Sequence, residues 1–140
     1  MSERLVGAPA SPACCLSDAS ARCAAWGVAG RPPEIDAIRA GTIEDQPPSA
    51  TSAALVLWVE ILGVEAGDLV HFHLTGPDGV VMIDHGTAIA WTQARHVAFV
   101  GARRNADPWH PGTYRGEITL VRESQGHALR GAIQRTMTIR

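Results

Sequence analysis

Residues 53–68 carry apolar side chains at both alternating sets of positions. Leu55, Leu57, Val59 and Ile61 fall on one side of an extended chain, and Val56, Trp58 and Glu60 on the other. A strand this apolar on both sides must be covered on both, at least in part. Gly63 and Gly67 punctuate its end. Downstream the period-two pattern recurs. Val70, Phe72 and Leu74 alternate with His71 and His73 in a strand over 69–75. Gly76-Pro77-Asp78-Gly79 then predicts a tight hairpin, because Pro presets φ and Asp-Gly accepts the positive φ the turn demands. Further strands are expected over 80–85, 95–100, 113–123 and 129–139, with an additional apolar stretch at 87–91. The segment 113–123 alternates most cleanly, with Tyr114, Ile118 and Leu120 inward and Arg115, Glu117 and Thr119 outward. In the last strand Arg135 falls on the apolar side, which predicts a bulge or an edge position with the guanidinium reaching past the core.

Six or seven short strands joined by turns, with no helix between them, predict an all-β fold: an immunoglobulin-like antiparallel β-sandwich. Pro111-Gly112-Thr113-Tyr114 resembles a tyrosine corner, in which a ring packs inside and its hydroxyl returns to nearby backbone.

Upstream the pattern is poorer. Residues 1–30 are rich in Ala, Ser, Pro, Gly and Cys and read as an irregular tail. Within it Ala19–Trp26 has the makings of a short helix stopped by Gly27 and Gly30. Arg31-Pro32-Pro33-Glu34 opens a better helix, with Pro in the first turn, Glu34 and Asp36 at the positive end, Ile35 and Ile38 on one face and Gly41 as terminator. A polar linker runs over 43–52. The expected organisation is thus a tail over 1–30, a short helix and linker over 31–52, and the sandwich over 53–140.

At 140 residues such a domain can bury a core without metal or disulfide help. The net charge of -2 gives no electrostatic case for nucleic acid or an anionic membrane. All twelve basic residues are Arg. No apolar run reaches the ~18–20 residues of a membrane span. No charged head followed by an apolar block marks a secretory signal, so the chain as written is expected in the cytoplasm. An exported portion upstream would move that expectation to the periplasm or cell envelope. Cys14, Cys15 and Cys23 read first as incidental thiols. The other readings are one bridge from Cys14 or Cys15 to Cys23 in an exported protein and, more weakly, a three-thiolate zinc site.

Few residues suggest chemistry, and no cofactor is expected. His71 and His73 share a strand face and could both reach one zinc, but no third ligand stands at a telling spacing. The simpler reading is two polar residues on the wet side of a half-buried strand. Asp84 and His85 are adjacent, point to opposite faces, and make a poor acid–base dyad. The loop over 101–112 concentrates Arg103, Arg104, Trp109 and His110, the residue types of recognition surfaces. Against that stands a structural loop in which Trp109 caps the core. Trp91 and Trp109 are the candidates for stacking on a sugar.

Four phrases carry a family likeness: A-L-V-L-W-V-E-I-L-G-V-E-A-G-D (54–68), L-T-G-P-D-G (74–79), A-F-V-G-A-R-R (98–104) and W-H-P-G-T-Y-R-G-E-I-T-L-V-R (109–122). Together they resemble the C-terminal β-sandwich behind the catalytic domain of some lysostaphin-type (LytM-type) bacterial zinc metallopeptidases. G-V-A-G-R-P-P-E-I-D-A-I-R-A-G (27–41) looks like the connector in those proteins. That family cleaves cell-wall cross-links through an H-x-x-x-D pair and a later H-x-H. This chain has no H-x-x-x-D, and His71-Phe72-His73 lies inside the accessory region, so no metal or catalytic residue carries over. The resemblance implies a non-catalytic accessory or binding module with a protein or cell-wall partner. The alternatives are a small zinc-dependent hydrolase using His71 and His73, or a carbohydrate-binding domain.

Overall fold

The computed structural model describes residues 21–40 and 48–140. Among these described residues seven strands and one short helix follow in the order β1 (Arg22–Ala29), α1 (Ile35–Ala40), β2 (Ala54–Val64), β3 (Leu69–Thr75), β4 (Val81–Ala88), β5 (Gln93–Arg103), β6 (Gly112–Ser124) and β7 (His127–Ile139). They form two antiparallel sheets, β1-β2-β5 and β4-β3-β6-β7. The all-β sandwich expected from the alternation is therefore present. The stretch at 87–91 is not a strand of its own: Thr87 and Ala88 end β4, and Ile89 is buried in the connection to β5.

The first strand corrects the reading of the N-terminal part. Arg22–Ala29 is not the end of a short helix or of an irregular tail but an edge strand paired with β2. A register shift between Cys23 and Ala25 puts Cys23 and Trp26 on the same inward face, three residues apart. That spacing imitates a helix, and pairing with β2 decides the conformation against it. Among the described residues the sandwich thus begins at Arg22. Residues 1–20 and 41–47, which hold Cys14, Cys15, Gly41 and half of the expected linker, lie outside the described residues.

The strand β2 is central in its sheet, between β1 and β5. Its inward set, Leu55, Leu57, Val59 and Ile61, joins Val70, Phe72 and Leu74 of β3 and Tyr114, Ile118 and Leu120 of β6 in the core between the sheets. Its outward set is buried too: Val56, Trp58 and Glu60 are 1%, 7% and 3% exposed. Arg95 Nε on β5 approaches Glu60 Oε2 at 2.7 Å, yet that oxygen accepts no hydrogen bond, so the contact is an ion pair without an aimed donor.

The turn between β3 and β4 follows its chemistry. Gly79 N–H donates to the Gly76 carbonyl at 3.0 Å, Gly76 N–H to the Val80 carbonyl at 2.8 Å, and Gly79 takes φ +84°. Arg135 sits on β7, an edge strand, without a bulge. Its guanidinium carbon lies 5.8 Å from the Trp26 ring centroid on β1, so it closes the open flank between the sheets.

The turn between β2 and β3 is held by a buried charge. Asp68 is 1% exposed. Arg122 of β6 donates to both of its oxygens, Nε to Oδ1 and Nη2 to Oδ2, each at 2.8 Å. Nη2 also reaches the Gly63 carbonyl at 2.9 Å, and Glu65 N–H donates to Asp68 Oδ2 at 2.8 Å. Removing the arginine strands a carboxylate out of water. Arg122→Met is expected to cost about 3–5 kcal/mol in urea unfolding. Glu65, more than half exposed and 3.4 Å from Arg122 Nη1, is worth under ~1 kcal/mol when changed to Ala.

Candidate functional site

The loop after β5 was the strongest concentration of recognition-type side chains, and the structure separates its members. Trp109 Nε1 donates to the Ser52 carbonyl at 2.8 Å, and Arg104 Nε donates to the same oxygen at 3.1 Å. Backbone bonds from Arg104 to Ala53 and from Trp109 to Ala50 run alongside. Trp109 also packs on the core. These two side chains fasten the loop to the segment that leads into β2. Arg103, at the end of β5, and His110 are exposed.

Tyr114 completes this end of the sandwich. Its ring is 2% exposed and its hydroxyl donates to the His110 carbonyl at 2.7 Å, four residues upstream, which is the expected tyrosine corner. Burial first, and the Asp78 carboxylate second, raise its phenol above the ordinary 10.0.

A second set of polar residues lies on the outer face of the four-stranded sheet. Strand register places Asp84 (β4), His73 (β3), Glu117 (β6) and Gln134 (β7) side by side in one row. His71, one step along β3, meets Asp84 diagonally, Nε2 to Oδ1 at 2.6 Å. Its ring lies 6.3 Å from that of His73. Gln134 Nε2 donates to Glu117 Oε2 at 3.0 Å, and Arg115 donates to Gln134 Oε1. The result is a flat polar strip crossing all four strands. Asp84 thus pairs with His71 and not with its neighbour His85, which stands opposite Phe72 on the other face. Only the register of the β3–β4 hairpin brings Asp84 to His71, so the sequence spacing carried no sign of it.

Among the described residues no group of three His, Cys, Asp or Glu side chains is arranged to hold a metal ion. Cys23 is disulfide-bonded and 8% exposed within the core, and the other half of the bond lies outside the described residues. The bridge considered for an exported protein therefore replaces the reading of Cys23 as an incidental thiol. No family model, curated protein or solved structure matches the chain.

The phenol offers a direct check on this end of the molecule. Tyr114 is the single Tyr, and the chain has no Lys. Its raised native pKa means that the unfolded chain loses the proton first. Stability is fully present below pH 10 and falls as pH rises through the native value. Phenolate absorbance should therefore titrate above 10.0 in the folded protein and return to the ordinary value in denaturant. Tyr114→Phe should remove this alkaline loss and cost about 1 kcal/mol at neutral pH, from the lost bond to His110.

Proposed function

We propose that the chain is a non-catalytic β-sandwich module that binds or positions a protein or cell-wall partner, as the accessory sandwich of lysostaphin-type peptidases would. One observation carries this reading: two of the four recognition-type side chains of the 101–112 loop are spent on holding the fold. Trp109 and Arg104 share the Ser52 carbonyl. What remains exposed is Arg103 and His110 in that loop and the polar strip with its His71–Asp84 pair, groups suited to contact. The likeness to that family rests on the sequence phrases in residues 27–122.

The disulfide at Cys23 supports a place in an oxidising compartment, the periplasm or the cell envelope, because such bonds persist there and are reduced in the cytosol. No described helix is long and apolar enough to cross a membrane.

Metal analysis separates the module from the zinc-hydrolase alternative. Protein dialysed against a weak chelator should carry zinc well below one ion per chain. Stoichiometric zinc that is lost in His71→Ala would overturn the reading. Thiol counting tests the compartment: of three cysteines, the denatured, unreduced protein should show one reactive thiol, and three after reduction. Three thiols before reduction, in protein exported to an oxidising compartment, would contradict it.

A further inference from the structure

We propose that Trp91 is a stacking platform for a neutral pyranose ring at the end of the sandwich where β4 passes to β5. The inference rests on the reading of the chain as a binding module and names a ligand class for it. Three of the four tryptophans have structural work. Trp58 is 7% exposed, and Trp26 and Trp109 pack against the core. Trp91 is 66% exposed. An indole is mostly withdrawn from water in folded proteins, so one left open on a connection is informative.

The connection that carries it is anchored on both sides. Ile89 exchanges backbone bonds with the β2–β3 turn, to the Asp68 carbonyl at 2.7 Å and from Gly67 at 2.9 Å. Thr92 Oγ1 accepts from Ala66 N–H at 3.1 Å. Trp91 lies between these two anchors. With the Gln93 amide turned so that its nitrogen donates to the Arg95 carbonyl, its oxygen accepts from Trp91 Nε1, each at 3.2 Å. The ring edge is thus held while the ring remains open to solvent.

The surroundings decide the class. Along the paired turn and connection the exposed neighbours are Glu65, Ala66, Gly67, Ala90 and Thr92. Arg22 and Arg95 flank Leu62 at this end, Arg95 paired with Glu60, and Arg122 is buried against Asp68; among the described residues two exposed arginines fall short of the polybasic patch an anionic membrane needs. A protein hot spot wants an apolar surround, and Leu69, the other exposed apolar residue at this end, stands on the outer sheet face. A pyranose presents an apolar C–H face to the negative face of an aromatic ring and ringed hydroxyls to polar side chains. The exposed Glu65 and Thr92 supply such partners.

The test uses the full chain with its disulfide formed, on an array of neutral oligosaccharides that includes β-1,4-linked N-acetylglucosamine oligomers, followed by titration of any glycan bound. The expected result is binding that falls about tenfold or more in Trp91→Ala and is largely kept in Trp91→Tyr, with the thermal midpoint unmoved in both. Failure of the whole array, or binding unaltered in Trp91→Ala, would overturn the inference. Glycan binding lost instead in Asp84→Ala or Glu117→Ala would also overturn it, while leaving the module reading intact.

Discussion

Coverage of β2 on both faces is the constraint on which the rest of this molecule depends. A central strand apolar at consecutive positions cannot be satisfied by one layer. The second sheet covers the inward set, Leu55, Leu57, Val59 and Ile61. The approach is close. A Cβ at Gly116 of β6 would lie 2.8 Å from Leu57 Cδ2, so glycine there lets the leucine seat against the opposing backbone. Each such side chain contributes on the order of 1.5–3 kcal/mol when withdrawn from water. The outward set adds a smaller buried layer around Trp58 that does not join the core between the sheets.

Once that packing is in place, the polar groups sort by what they must do. Asp68 and Arg122 are both out of water, so each must have the other. His71 and Asp84 are each more than 40% exposed, and water could replace either partner. The first pair holds the fold, and the second is free to trade partners. The same sorting explains the upper loop. Arg104 and Trp109 look like recognition residues but answer one backbone carbonyl, which a turn of irregular chain would otherwise leave without donors. Facing outward are the strip across the four-stranded sheet, Arg103 and His110, and the Trp91 indole at the opposite end of the sandwich from Trp109.

Most strands were legible because their faces differ. Phe72 and Leu74 alternate with His73, and Tyr114 and Ile118 with Arg115 and Glu117, and each set fell on the face its polarity requires. The hidden strand, β1, was lost to one extra residue. The bulge after Cys23 broke the period just where Ala24 and Ala25 gave no contrast. Arg135 was legible as an edge residue because a guanidinium cannot sit in a core, but its seat over Trp26 was not, because β1 itself was unread. The site was less legible than the fold for a related reason. Local spacing shows which residues share a strand, whereas His71–Asp84 and Glu117–Gln134 arise from register between strands. Trp109, in the Arg-rich loop, had the stronger claim in sequence, and the structure instead fastens it to Ser52 and leaves Trp91 exposed.

The claim that β2 anchors both layers is tested most directly by native-state hydrogen exchange resolved to single amides. The account predicts that Leu55 to Ile61 exchange only through global unfolding, with protection matching the full unfolding free energy, while the edge strands β1 and β4 open earlier. Exchange of the β2 amides by local opening, at free energies well below the global value, would contradict it.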